Sequence, residues 1–248
     1  MKRKRLAAGI LAALAGQANA FRFETSQDWE MRWDNTFKLN VMSRVAKQDK
    51  DVITPRAGAG WFLADGTDLS VDRSNLGLVS TRLDVLSEFD VVWRENFGFR
   101  VSGSAWYDPQ YEDDNNDHPA DRCLSWASPS TPVGEYNHEA EDMHYAGGEL
   151  LDAFVFANLD VGNTSIGIRA GRHTIFWGQG LLTNGALHGV GRAMAPIDFN
   201  KALSVPGSEA KELFLPTSKI STVVQLTDNL TLNAYSSNEF QAYRCRCP

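Results

Sequence analysis

The chain has 248 residues, with 24 basic and 31 acidic side chains and a formal net charge of −7. Four of the basic residues and none of the acidic ones lie in the first 20 positions, so a chain lacking that segment carries 20 against 31, a net of −11. This balance argues against a nucleic-acid partner, whose affinity comes from a basic face. No stretch past the N-terminus is apolar over the roughly 20 residues that a transmembrane helix needs.

The chain opens on Lys2, Arg3, Lys4 and Arg5, followed by an apolar run over residues 6–15 and by Ala18-Asn19-Ala20. A charged start, a short apolar stretch and small residues in an A-x-A pattern predict a signal peptide over 1–20. Phe21, not a cysteine, stands directly after the cleavage point, which argues against a lipid anchor. Export permits disulfides, but Cys123, Cys245 and Cys247 are three in number and form no recognisable framework.

Alternation with a period of two then dominates. Over 29–45 the residues Trp29, Met31, Trp33, Phe37, Leu39 and Val41 interleave with Glu30, Arg32, Asp34, Lys38 and Arg44. Period two separates side chains onto the two faces of a strand, whereas a helix would scatter them around its circumference. The pattern returns over 79–93 and, after a tight connection at Glu95-Asn96, over 97–105, which reads as a hairpin. Two more hairpins follow, 151–161 with 165–170 and 220–226 with 230–236, turning at 162–164 and 227–229, where Gly and Asn accept positive φ. The short connections alternate with long ones at 46–78, 108–150 and 172–219.

Alternating short turns and long loops are the pattern of a transmembrane β-barrel, with the tight turns on the periplasmic side. The sequence therefore predicts an all-β fold, an antiparallel barrel domain over 21–237, with an atypical tail at 238–248. Trp29, Trp93, Phe97 and Phe99 fall near the short turns, where aromatic girdles form. The charged set, Arg32, Asp34, Lys38, Arg82, Asp84, Glu88, Asp90, Arg94 and Arg100, would line the lumen and pair across strands. Seven strands are visible, an odd number that cannot close a bacterial single-chain barrel, and 244–248 does not read as a strand. The expectation is the N-terminal part of a longer protein, ended by truncation or a frameshift.

Several stretches carry a family resemblance in their order: Trp33-Asp34-Asn35-Thr36, the run 83–92, the run 96–102, Gly171-Arg172-His173 with Trp177-Gly178, Pro196-Ile197-Asp198, and 203–207 followed by Lys211-Glu212. Over Trp29 to Tyr235 the chain resembles the uncharacterised family called domain of unknown function 1302, and the resemblance stops from about Asn238. It departs at Gln179, where the family usually carries Glu. The resemblance implies an exported, outer-membrane, barrel-like protein of Gram-negative bacteria, longer than this chain. It implies no reaction.

Motifs for chemistry are sparse. Asp113, Asp114, Asn115, Asn116 and Asp117 form the densest oxygen cluster, but His118 and Leu124 stand where a calcium loop wants Gly and Glu. His138-Glu139 with His144 lacks the zincin spacing, because Asp142 replaces the second histidine. Gly178-Gln179-Gly180 supplies no serine nucleophile. Arg172, His173 and Trp177 open a Gly-rich loop that would fold inward as a plug or constriction, with Arg selecting anions. Asp152, Phe154, Phe156, Asn158 and Asp160 share one strand face, which would turn two phenyl rings toward a lumen, with Arg169 on the next strand.

The leading expectation is thus a passive outer-membrane channel or transporter for small, hydrophobic or aromatic solutes. Its partners would be outer-membrane lipid, the barrel-assembly machinery and a small-molecule solute, with no cofactor, metal or covalent chemistry. A soluble, periplasmic or surface β-protein with a binding or structural role is the alternative. An outer-membrane enzyme is a third, and no nucleophile–base set for it is visible in the sequence.

Overall fold

A computed structural model describes residues 10–15, 19–23, 26–43, 78–112, 138, 141–162, 164–175, 195–242 and 244. Its strands are β1 (Ile10–Ala15), β2 (Asn19–Phe23), β3 (Trp29–Ser43), β4 (Leu78–Trp93), β5 (Phe97–Tyr107), β6 (Ala146–Val161), β7 (Thr164–His173), β8 (Thr217–Thr227) and β9 (Leu230–Ser237). They form one antiparallel sheet in the order β1-β3-β4-β5-β6-β7-β8-β9, with β2 pairing β3 off this path. β3 to β9 are the seven strands that alternation predicts. β1 and part of β2 fall within the segment expected to be a signal peptide.

The described strands do not close into a barrel. Closure needs the last strand to bond the first. Here the outer edge of β3 is taken by β1, opposite Lys38 to Ser43, and by β2, opposite Met31 to Asn35, while β9 pairs only with β8. The architecture is an open, all-β antiparallel sheet.

The register sorts the side chains into two faces. On one face Arg32 stands opposite Asp90 and Asp90 opposite Arg100, then Arg100 opposite Phe154 and Phe156 opposite Arg169. On the other, Trp29 stands opposite Trp93 and Trp93 opposite Phe97, and Phe37, Leu83, Val101, Val155, Leu159 and Ile220 are exposed. Val155 retains 58 % of its accessibility and Ile220 59 %, so among the described residues nothing packs on this part of the apolar face.

The tight turns sit close to their predicted places, with one difference in chemistry. The β4–β5 connection places Arg94 and Glu95, rather than Asn96, at positive φ (51° and 61°). Arg94 is held there by two bonds from its guanidinium to Asp28, at 3.2 and 3.3 Å, and by its backbone N–H to the Asp28 carbonyl at 2.7 Å.

β6 starts at Ala146 rather than 151, because Gly147 and Gly148 erase the apolar alternation over its first turn. A bulge opposite Ser102 then reverses the parity. Leu151, expected on the apolar face with Ala153 and Val155, is instead 3 % exposed on the polar side.

Among the described residues, the long β7–β8 connection supplies a layer over the sheet. Residues 195–216 carry two short helices, α1 (Phe199–Ser204) and α2 (Ala210–Leu213). Asp198 caps α1 by accepting the Lys201 N–H at 2.8 Å. Leu215 donates its N–H to the Pro196 carbonyl and Asp198 to that of Leu213, tying the two ends of the segment together. The segment lies across the polar face of β3, β4, β5 and β6, as its ion pairs establish.

Candidate functional site: the polar face and its inward loop

Strand alternation places the charged side chains on one face, and the register makes neighbours of opposite charges. Asp90 accepts Arg100 at 2.6 and 2.9 Å and Arg32 at 3.1 Å, while Arg32 also reaches Asp34 at 2.9 Å. Arg82 and Asp84, both almost fully buried, pair at 2.9 Å, and Arg82 donates to the Met143 carbonyl at 3.2 Å. Charges at such burial persist only when partnered in this way. Asp34 and Glu88 stand directly opposite each other with like charge. Arg32 compensates the first, and Lys211 of α2 reaches the second at 2.5 Å.

The inward loop is fastened by four such contacts. Glu212 of α2, 2 % exposed, accepts the Lys38 ammonium of β3, and its carboxylate also accepts the Glu209 N–H at 2.9 Å. Lys211 bonds Glu88 of β4. Lys201 of α1 reaches Glu149 of β6 at 3.4 Å and stands 5.3 Å from the Trp106 ring of β5, a ring that Arg82 also approaches at 5.4 Å. Arg244 of the tail joins them, bonding Glu149 at 2.5 Å and Asp198 at 3.3 Å, with its backbone paired to Ile197 and Phe199.

Burial alone would raise the Glu212 carboxyl, but the Lys38 ammonium and the Glu209 N–H outweigh it and hold the group below its ordinary value. Burial likewise disfavours charge on Lys211, yet Glu88 holds its ammonium above the ordinary value. The space left beneath the loop, between Trp106, Lys201 and Arg244, is about 30 Å3, room for about one water.

The far wall of the same face is different. Between β7 and β9 lies an open cavity of about 680 Å3, lined by Arg169, His173, Ser221, Val223 and Asn233 among others. His173 offers Nδ1 to the Gly171 carbonyl at 3.0 Å, which leaves Nε2 to accept the Ser221 hydroxyl at 2.8 Å. Lys219 donates to the His173 carbonyl at 2.7 Å. Arg169 lies 5.6 Å from the centre of the Phe154 ring, and that ring lies 5.6 Å from His173. Two glycines make the room. Gly171, at φ 125°, would drive a Cβ to 2.3 Å from the Ala153 carbonyl, and a Cβ on Gly98 would meet the Phe156 ring at 2.6 Å.

At the turn end of the apolar face the aromatic rings cluster in two groups. Trp29 lies 6.1 Å from Trp93, Trp93 lies 5.7 Å from Phe97, and Phe89 lies 6.0 Å from Phe99. Trp33 adds a bond from its indole N–H to the Ser87 hydroxyl at 2.8 Å.

Comparison with known proteins fits this arrangement to a family. The model described as "Protein of unknown function (DUF1302)" matches residues 1–246. The chain belongs to the DUF1302 family. The match passes Asn238, where the sequence resemblance was expected to stop, and takes in the tail through Arg244, which the structure docks on the inward loop. No curated protein and no solved structure matches the chain.

The structure brings most of the sequence-predicted site residues together within this DUF1302 sheet. Arg32, Asp34, Arg82, Asp84, Glu88, Asp90 and Arg100 share the polar face on β3 to β5, and Asp152, Arg169 and His173 continue it on β6 and β7. Arg172 does not join them. Strand parity turns it to the opposite face, opposite Ala153, where it bonds Glu239 at 3.1 Å. Trp177, the Gly178-Gln179-Gly180 motif, the Asp113 to Asp117 cluster, Glu139, Cys123, Cys245 and Cys247 lie outside the described residues. His144 is a packed histidine, stacked 4.8 Å from Tyr111. Burial, then the Arg82 charge, push its imidazole down to about 4 against the pull of Asp108. Exposed His138 sits 3.7 Å from Asp142.

Sequence reasoning missed the loop's own anchors, Lys201, Lys211, Glu212 and Arg244, and the partners Glu149 and Ser221. Asp198 is legible as a helix cap by residue type, whereas the Glu-x-x-Glu of 209–212 lacks the usual Ser, Thr, Asp or Asn at its start. The long-range ion pairs of both segments are not legible in the sequence.

Proposed function

We propose that this sheet is the wall of a transmembrane β-barrel in the bacterial outer membrane, and that the protein is a passive channel or transporter for small amphipathic solutes. The observation that carries the proposal is the separation of the two faces. One is apolar, aromatic at the turn end and left exposed among the described residues. The other is charged, internally paired and partly covered by a loop folded onto it. Exposed apolar patches of this extent mark contact with lipid or a partner. A charged residue facing lipid at mid-depth costs roughly 2–4 kcal/mol, whereas one facing a wet lumen costs little. The alternating short turns and long connections fit the same reading. No helix among the described residues is long and apolar enough to cross a membrane, which bears only on helical spans.

On this reading the chain is exported through its N-terminal segment and inserted by the barrel-assembly machinery. Residues 195–216 act as an inward plug over the β3–β6 half of the lumen. Solute passes along the β7–β9 half, where the larger cavity lies. No covalent chemistry is invoked.

The test is flux through liposomes that contain the full-length protein, using small charged and aromatic solutes. Passage well above that of empty liposomes supports the proposal. Absence of passage for every solute, from protein shown to be folded and inserted, overturns it.

A further inference from the structure

The polar face is electrostatically lopsided. On β3 to β6 its cations are matched: Arg32 and Arg100 by Asp90, Arg82 by Asp84, Lys38 by Glu212, and Lys201 by Glu149. On the β7–β8 wall the order breaks. No carboxylate among the described residues lies within ion-pair distance of Arg169, although Asp152 and Asp160 stand on the same face of the neighbouring strand. Its guanidinium is placed against the Phe154 ring at 5.6 Å and lines the 680 Å3 cavity. A guanidinium held on an aromatic ring keeps its N–H edge for a planar, bidentate acceptor.

The hydrogen-bond chain beside it refines the choice. With Nδ1 of His173 committed to the Gly171 carbonyl, Nε2 takes the Ser221 proton, and Ser221 is directly opposite Arg169 in register. The cavity therefore presents a fixed cation beside an oriented imidazole–hydroxyl pair, with Val223 and Ile175 as apolar lining. Its volume is that of a drug-sized ligand site.

We infer that the Arg169 cavity is a binding site for an organic carboxylate with an apolar or aromatic body, the carboxylate on the Arg169 guanidinium and the body along the Val223 wall. The inference rests on the reading of the polar face as the solute path, but binding at equilibrium is measured apart from flux. A site that binds while no flux occurs, or the reverse, separates the two.

The experiment is titration calorimetry on the full-length protein folded in detergent, with 4-phenylbutyrate and its uncharged amide as probes, on wild type, Arg169→Gln and Arg169→Lys. Wild type is expected to bind the acid at least about ten-fold more tightly than the amide, the scale of one charge-assisted bidentate contact. Arg169→Gln is expected to abolish that preference and to leave the amide unchanged within about two-fold. Arg169→Lys keeps the charge without the planar fork and is expected to lose part of it. Should Arg169→Gln fail to fold, the acid-to-amide ratio in wild type and its reduction in Arg169→Lys decide the matter. Equal binding of acid and amide, binding of neither, or a preference that survives loss of Arg169 overturns the inference.

Discussion

Replacing Glu212 by Gln tests whether the inward loop is held as described. The substitution keeps an oxygen to accept the Glu209 N–H and removes the charge that faces Lys38. Glu212 is 2 % exposed and the Lys38 side chain 14 %, so the ammonium is left in a poorly hydrated place. Breaking a fully buried pair costs about 3–5 kcal/mol. Lys38 keeps its bond to the Gly207 carbonyl at 3.3 Å and some solvent, which lowers the expected cost to about 2–3 kcal/mol. That cost falls on docking of the loop, not on the sheet, whose ladders do not pass through Glu212. Amide exchange over 196–215 should therefore accelerate by about 30- to 150-fold, with exchange in β4 to β6 unchanged. Acid should do the same to wild type. The folded carboxyl lies below the ordinary 4.5, so its contribution is present above 4.5 and is lost as pH falls through the lowered value. Unchanged exchange in Glu212→Gln, or loss of the loop and sheet together, would refute residues 195–216 as a separately docked layer.

Other outcomes follow from single groups. His144 stays neutral in the fold down to about pH 4, while an unfolded histidine protonates near 6.5, so the unfolded state binds more protons between these values. Stability around the Tyr111 stack should therefore fall as pH drops from 6.5 to 4, by on the order of 3 kcal/mol; an imidazole resonance titrating near 6.5 would contradict this. Gly171→Ala should prevent native assembly or lower resistance to heat and detergent sharply. The cause is a Cβ at φ 125°, 2.3 Å from a β6 carbonyl, and native-like mobility on a semi-native gel would contradict it.

Much of the sheet was written in its period. Trp29 to Val41 and Val79 to Trp93 alternate cleanly, and the pairing of Asp90 with both Arg32 and Arg100 follows from nothing more than hairpin register. The sequence erred where small residues or an inserted residue carry no pattern. Gly147 and Gly148 hid the first turn of β6, and the bulge at Ser102 moved Leu151 to the polar side. Arg172 was grouped with His173 by proximity along the chain, although neighbours on a strand face opposite ways.

The glycine-rich stretch after Trp177, read from the sequence as a plug, lies outside the described residues, and the described layer is a later segment, 195–216. Its helices are too short to show a 3.6-residue period, and Glu212 meets Lys38 across 174 positions of sequence. The His173–Ser221 pair was invisible for the same reason, since the two lie on different strands 48 positions apart. A barrel wall was read from the turn pattern, with seven strands too few and too odd to close, and the described residues form an open sheet.

The most direct test of the central proposal is an accessibility scan along β6. Native Cys123, Cys245 and Cys247 are first replaced by Ser, and single cysteines are placed at positions 153 to 157 of the full-length protein in native outer membranes. Each is spin-labelled and its collisions with oxygen and with a water-soluble nickel chelate are measured. A wall between lipid and lumen predicts a period of two, with oxygen favoured at 153, 155 and 157 and the chelate favoured at 154 and 156. Equal access of the chelate to both sets would contradict the membrane assignment and return the apolar face to a soluble protein awaiting a partner.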